Sequence, residues 1–262
     1  MPTTESAQPK RATGTHFYRY KSCEHMEWLK PIILEHLLYV PLVSELNDPL
    51  DCKPKINLMS EDEMILFLRN DYLRRNSAPA LHILRQRDET VRERLRTLGL
   101  EWFLQQMADI LYRQMDEFRV FSMSKRFDNF SMWAKYAEGH KGFCLEFVNA
   151  GPFFGEHTLE VIYGDYPAFD MNDSKQRSAM FLVHKRQDWC NEEEVRLISK
   201  RGSSPYTKIQ PDWLTRIILG KDMREEHRVQ IREWARERDP NLTVVQARFD
   251  ALRHELQLTT LP

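Results

Sequence analysis

Two glutamates separated by one residue stand just before a strand-like segment late in the chain. Glu192 and Glu194 lead into the alternating residues 195–199, and residues two apart on an extended strand project from the same face. Neighbouring carboxylates repel each other unless a bound cation, substrate hydroxyls or a raised pKa makes use of them. The pair is therefore a candidate catalytic site, and the alternative is a solvated acidic turn.

The stretch from Phe121 to Phe147 concentrates side chains that suit the wall of a pocket. It mixes hydroxyls, aromatic rings and glycines, which make poor core and good binding surface. Two serines separated by one residue share a side if the segment is extended, and hydroxyl pairs bond riboses, amides or carboxylates. The candidates here are Ser122, Ser124, Trp133 and Tyr136.

Two basic side chains complete the candidate set. Arg19 lies between two tyrosines in an aromatic strand, where a guanidinium must reach an anion or solvent. We expect it to bind a carboxylate or a pyrophosphate, or else to lie over Phe17 at a sheet edge. Lys185 precedes the glutamates, so it balances their charge, meets a phosphate, or is an ordinary lysine on a helix surface.

The elements that must position these residues predict an α+β fold with a mixed or antiparallel sheet. Alternation with a period of two indicates the strands, and spacings of three and four residues indicate the helices. Strands are predicted at 16–20, 37–41, 118–122, 143–148, 158–163, 194–199, 215–219, 241–248 and 254–260. Helices are predicted at 26–36, 173–188 and 222–238. Residues 60–118 predict an inserted block of three helices that begins at a capping box on Ser60.

The chain is long enough for one large domain. It has 262 residues, of which 42% are hydrophobic, and we expect a single α+β domain over 15–262 after a disordered tail at 1–14. The formal net charge of -1 excludes an overall basic field for nucleic acid. The polar start has no apolar signal segment, and no apolar run is long enough to span a membrane.

Cysteine and histidine spacing argues against a metal site. The four cysteines are widely separated, and the nine histidines show no HExxH or HxH pairing, so no zinc-type ligand pattern is present. With no leader segment, we expect a soluble cytoplasmic protein whose thiols are reduced.

Several segments resemble, in the same order, a large and mainly bacterial family catalogued only as a domain of unknown function. The match runs over about residues 16–260, and Leu50 and Asn191 depart from it by replacing aromatic residues. The matching segments are Tyr18-Arg19-Tyr20, Asn47-Asp48-Pro49-Leu50-Asp51-Cys52, Phe121-Ser122-Met123-Ser124, Met132-Trp133-Ala134-Lys135-Tyr136-Ala137, His140 to Phe147, and Lys185, Trp189, Glu192, Glu194 and Arg196. The family name implies no reaction.

A second resemblance implies one. ADP-ribosyltransferases of the Arg-Ser-Glu class carry an arginine in an early strand, then Phe-x-Ser-Thr-Ser, then Glu-x-Glu or Gln-x-Glu entering a strand. This chain is similar in having Arg19, then Phe121-Ser122-Met123-Ser124, in which Met123 replaces the usual Thr, and then Glu192-Glu193-Glu194. The resemblance implies a sheet core like that fold, NAD as substrate and no metal. Glu194 would hold the ribose and face an oxocarbenium-like centre, and Glu192 would position or deprotonate an acceptor.

The same resemblance assigns the binding residues. Arginine and hydroxyl groups would hold the pyrophosphate and ribose, and aromatic rings would form a wall for nicotinamide or adenine. The cofactor-binding residues under this hypothesis are Arg19, Tyr20, Ser122, Ser124, Trp133, Tyr136 and Lys185.

Three functions stay open at this point. The first is an NAD-consuming enzyme, either an ADP-ribosyltransferase or an NAD glycohydrolase of the toxin or phage-defence kind, acting on a protein or nucleic-acid acceptor. The second is a non-catalytic sensor module that binds a nucleotide or a peptide. The third is a metal-dependent nuclease that uses Glu192, Glu194 and Asp48 as ligands.

Overall fold

The protein is built on one large mixed sheet. The computed structural model describes residues 9–24, 26–57, 59–76, 79–148, 158–169, 178–202 and 204–261. Its strands are β1 (His16–Lys21), β2 (Leu37–Tyr39), β3 (Lys55–Ile56), β4 (Phe118–Ser124), β5 (Phe143–Val148), β6 (Thr158–Glu160), β7 (Ile162–Tyr163), β8 (Ala168–Phe169), β9 (His184–Lys185), β10 (Glu194–Lys200), β11 (Tyr206–Lys208), β12 (Leu214–Leu219), β13 (Thr243–Asp250) and β14 (Glu255–Thr260). The eight-stranded sheet has the order β14-β13-β12-β5-β1-β4-β10-β6. Only the β12–β13 pairing within it is parallel among the described residues, so the predicted α+β class with a mixed sheet is confirmed.

The helices of the described residues are α1 (Leu29–Leu34), α2 (Glu61–Arg75), α3 (Leu81–Leu98), α4 (Leu100–Met115), α5 (Phe130–Tyr136), α6 (Ser178–Val183) and α7 (Glu225–Arg238). The predicted capping box starts α2: the Ser60 hydroxyl accepts from Glu63 N, and the Glu63 carboxylate accepts from Ser60 N at 2.7 Å. Gly99 separates α3 from α4 at a φ of 82°. The three predicted helices of the block are thus confirmed. No helix of the described residues is long and apolar enough to cross a membrane.

Helices cover both faces of the sheet. Leu29 and Ile33 of α1 and Ile231 of α7 pack with Phe17 and other large apolar side chains on one face. Trp133 of α5 packs on the opposite face, where its neighbours come from β1, β5 and β12. The helical block has a core of its own. Burial on both faces holds the central strands rigid, which suits them to position a site.

Two expectations differ from the structure. Residues 1–8 of the expected tail lie outside the described residues, but Glu160 N donates to Lys10 O and Ala12 N donates to Thr158 O, each at 2.9 Å. Residues 10–13 therefore extend the sheet beside β6 instead of forming a tail. The helix predicted at 173–188 falls partly outside the described residues, and α6 ends before Lys185, which lies on the buried strand β9.

The sheet parts between β1 and β4. β1 pairs with β5 along all of its residues, whereas it meets β4 at one register position, Tyr18 opposite Ser124. Towards its start, β4 lies beside Pro41 and Leu42 and not beside β1: Val120 N donates to Pro41 O at 2.9 Å, and Leu42 bridges to Arg119. The backbone of β4 between these two contacts thus faces an opening in the sheet.

Candidate functional site

A polar cleft of about 270 Å³ opens where β1 and β4 part. This volume is near the lower end of the range for small-molecule sites. Most of the residues predicted as a site line this cleft, although they come from widely separated parts of the chain. They are Arg19, Tyr20, Ser122, Tyr136, Lys185, Glu192 and Glu194.

Two predicted site residues do not line the cleft. Ser124 is fully buried, and its hydroxyl accepts from Arg126 N at 3.2 Å. Trp133 is also fully buried: its indole donates to Phe127 O at 2.7 Å, and its ring stacks on His140. Because both side chains are satisfied inside the protein, Trp133 is a core residue and not the stacking wall expected from the sequence.

The two carboxylates converge because of a left-handed turn. Glu192 ends a 3-10 helix over Gln187–Glu192, Glu193 has a φ of 44°, and Glu194 begins β10. The sequence predicts that Glu192 and Glu194 share one face of a strand, but Glu192 lies before the strand. The predicted reason for their proximity is therefore wrong, although both carboxylates line the cleft. Each is almost completely buried, so each needs a partner for its charge.

Lys185 is the shared partner. Its Nζ donates to Glu192 Oε2 at 2.7 Å and to Glu194 Oε2 at 2.8 Å. Burial lowers the pKa of Lys185, but Glu194, Asp51 and Glu192 together outweigh burial and raise it. The sequence left three roles open for Lys185, and the structure shows the first of them: its charge balances the two carboxylates.

A second cation extends the network to a distant turn. The guanidinium of Arg196, which is fully buried, donates to Glu194 Oε1 at 2.8 Å and to Asp51 Oδ2 at 2.7 Å. The turn that brings Asp51 inward is closed by Asp51 N donating to Asp48 O and by Leu50 N donating to Asp48 Oδ1. Asp51 and Arg196 belong to the segments of the family resemblance, but sequence reasoning did not assign them to the site.

The network keeps Glu194 ionised. Burial acts to raise its pKa, but the charges of Arg196 and Lys185 outweigh burial and lower the pKa to about 2. The backbone N–H of the same residue donates to the Tyr163 hydroxyl at 2.7 Å. A buried, fixed negative charge therefore faces the cleft at physiological pH.

Tyr136 and Lys135 hold the other carboxylate. The Tyr136 hydroxyl donates to Glu192 Oε1 at 2.7 Å, and Lys135 Nζ lies 3.4 Å from the same oxygen. Lys135 Nζ also lies 3.3 Å from the ring centroid of Trp189, a cation–π contact. Trp189 thus packs against the lysines that surround Glu192.

The β1 side of the cleft carries two further cations, Arg19 and Lys21. Arg19 reaches across the opening to donate from Nη1 to Ser122 O, and its guanidinium lies 5.1 Å from the ring centroid of Phe121, not over Phe17. Its buried Nε–H has no hydrogen-bond partner among the described residues. Lys21, two residues along β1, also lines the cleft and has no acidic partner in the described part of the chain. Burial and the repulsion of Arg19 lower the pKa of Lys21 to about 7.

The carboxylates are not arranged as metal ligands. Within the described residues, no group of three or more His, Cys, Asp and Glu side chains could hold a metal ion. The ammonium of Lys185 lies between Glu192 and Glu194, and Asp48 is engaged by Leu50 N. The donor set therefore gives the nuclease hypothesis little support.

Comparison with known proteins adds no identification. No protein-family model matches the chain, and no curated protein or solved structure matches it.

Proposed function

We propose that this protein consumes NAD by breaking the bond between nicotinamide and ribose. The observation that carries the proposal is that Arg19 on β1 and Glu194 on β10 line one cleft, although they are far apart in the sequence. The cleft thus combines a cation for a diphosphate with a fixed carboxylate for a developing positive charge. The earlier resemblance to ADP-ribosyltransferases motivates the same choice of substrate.

The chemistry requires a negative charge beside the sugar. As the C1′–N bond breaks, the bonding electrons leave with nicotinamide and C1′ becomes oxocarbenium-like. Glu194, already ionised, stabilises that cation without reorganising, because Lys185 and Arg196 hold it in place. The oxygens of an ionised carboxylate offer about four acceptor positions, so Glu194 can still accept from the ribose 2′-hydroxyl.

The second carboxylate completes the reaction. An acceptor hydroxyl that adds to C1′ must lose a proton, and Glu192 accepts it, whereas water that adds to C1′ loses its proton to solvent. Arg19 binds the diphosphate through its guanidinium, and Ser122 and Tyr136 contact the ribose from the cleft wall. With water the product is ADP-ribose, and with another acceptor it is an ADP-ribosylated molecule.

The test compares Glu194→Gln with Glu192→Gln in the full chain. Both variants remove one carboxylate from Lys185, so both should lose stability, and Glu194→Gln also weakens the contact with Arg196. We expect Glu194→Gln to lower nicotinamide release roughly 100-fold or more. Glu192→Gln should spare hydrolysis relative to Glu194→Gln and weaken transfer to an added acceptor. Nicotinamide and ADP-ribose are quantified by chromatography.

The outcomes separate turnover from binding. A wild-type protein that gives no calorimetric heat with NAD and releases no nicotinamide would overturn the proposal. Equal activity in wild type and Glu194→Gln would remove Glu194 from the reaction.

A sensor module is the second candidate, and one observation favours it. Both carboxylate oxygens of Glu194 already accept hydrogen bonds from buried cations, which weakens the field that Glu194 exerts on a ligand. If calorimetry shows that NAD binds, and no nicotinamide is released at the highest protein concentration tested, the result identifies this second function.

A further inference from the structure

A second hollow adjoins the cleft at Lys21. It has a volume of about 190 Å³ and lies between the end of β1, the first residues of α1 and the start of β5. Its lining is mostly apolar and consists of Lys21, Ser22, Trp28, Leu29, Ile32 and Phe143. Because Lys21 also lines the cleft beside Glu194, this residue borders both spaces.

The hollow offers an aromatic surface at its rim. Trp28 ends a 3-10 helix over Met26–Trp28, directly before α1, and 60% of its surface is exposed. Phe143, which pairs with Lys21 across the sheet, forms part of the buried floor. A large exposed indole over an apolar hollow suits a flat heteroaromatic ring, which stacks on aromatic side chains.

The boundary between the two spaces is positively charged. Arg19 and Lys21 alternate along β1, so both project from the same face of the strand. Neither forms an ion pair within 4 Å in the described part of the chain, although the charges of Glu194 and Glu192 act on Arg19, and the Nε–H of Arg19 has no acceptor there. Anionic groups are favoured where buried cations lack partners, and a diphosphate is the anion that connects two nucleosides. Burial and the neighbouring charge of Arg19 lower the pKa of Lys21, and a bound anion would favour its charged form.

We propose that the hollow at Trp28 binds the adenine ring of NAD, so that the dinucleotide spans both spaces with its diphosphate on Arg19 and Lys21. This inference rests on the proposed function, because it places the nicotinamide riboside half in the cleft beside Glu194. It also explains why a cleft of about 270 Å³ is enough, since it holds only one half of the ligand.

The experiment measures the affinity of NAD and of nicotinamide mononucleotide for wild type and Trp28→Ala by calorimetry. We expect Trp28→Ala to weaken NAD binding roughly 5- to 100-fold, the range for loss of one base stacked on an aromatic ring, and to leave mononucleotide affinity unchanged. Trp28→Phe should recover most of the NAD affinity. Trp102→Ala is the matched control, since Trp102 is 43% exposed on the helical block, and both ligands should bind it as they bind wild type.

Two results would overturn the inference in different ways. If Trp28→Ala binds NAD as tightly as wild type, or weakens both ligands equally, the adenine ring lies elsewhere and the proposed function stands. If wild type binds neither ligand, the proposed function fails and this inference fails with it. Melting temperatures of the variants establish that each is folded when it is measured.

Discussion

At the scale of single residues, the site depends on Glu193. It has a φ of 44° between the two carboxylates, a conformation that costs an L-residue about 1–2 kcal/mol. Its carboxylate pairs with Arg126 at 3.4 Å in an exposed position, where an ion pair contributes little. The left-handed turn, and not the side chain of Glu193, is therefore what brings its neighbours together.

Glycine and valine at this position should have opposite effects. Glu193→Gly relieves the backbone strain at the cost of a more flexible unfolded chain, so we expect unfolding free energy within about 1 kcal/mol of wild type. Glu193→Val has a β-branched side chain that resists positive φ, and we expect it to lose about 1–2 kcal/mol or more. Urea denaturation followed by circular dichroism measures both. Equal losses in the two variants would contradict a role for the turn.

At the scale of elements, the end of β1 is held by close backbone packing. A Cβ atom on Gly142 would lie 2.1 Å from Lys21 O and 3.0 Å from Ala137 O. Gly142 N also donates to Ala137 O at 2.8 Å, and its carbonyl accepts from Gly220 N. Because backbone atoms cannot rotate away as side chains do, any larger residue must displace β1. The position of the two cations on β1 thus depends on this glycine.

We expect Gly142→Ala to lower the free energy of unfolding by at least about 1–3 kcal/mol, the typical cost of overpacking. It should also weaken NAD binding, because Lys21 and Arg19 move with β1. Gly202→Ala is the control, since its added Cβ would meet no atom within 4 Å. Thermal melts and calorimetry on both variants check this, and a Gly142→Ala protein as stable as Gly202→Ala would count against it.

At the scale of the whole molecule, Arg196 joins segments that are distant in sequence. Its guanidinium donates to Glu194 on β10, to Asp51 in the turn after β2 and to Leu182 O at the end of α6. All three contacts are buried, so removing the guanidinium leaves the buried carboxylates of Asp51 and Glu194 with Lys185 as the one cation they share among the described residues. Removing one partner of a buried ion pair typically costs about 3–5 kcal/mol.

Arg196→Met should therefore destabilise the protein by about that amount at pH 7. The free energy of unfolding of this variant should also fall less between pH 7 and pH 4 than that of wild type. In wild type, the lowered pKa of Glu194 contributes stability that is present above its ordinary pKa of 4.5 and is lost as the pH falls towards 2. Arg186→Met is the control, because both side chains of its pair with Asp188 are more than half exposed, and it should cost about 1 kcal/mol or less. Urea denaturation at pH 7 and pH 4 measures the free energy of unfolding of both variants. If the two variants are equally stable at pH 7, the structural role of Arg196 is refuted.

The sequence by itself determined the elements and the candidate residue types. Alternation located the strands of the sheet, and the capping box at Ser60 located the start of the helical block, because these signals are local and depend on a few neighbouring residues. Residue chemistry alone also selected Arg19, Glu192 and Glu194. These side chains are rarely buried unless a partner or ligand uses them.

Only the tertiary structure decided which candidates face the cleft. Trp133 and Tyr136 lie three residues apart on α5, yet one packs in the core and the other reaches Glu192, since the orientation of the helix on the sheet is set by packing that sequence spacing does not encode. Asp51 joins the network only because a distant turn folds against β10. The cleft itself exists because β1 and β4 meet at a single register position, and strand pairing across about a hundred residues is a non-local outcome that no local pattern specifies.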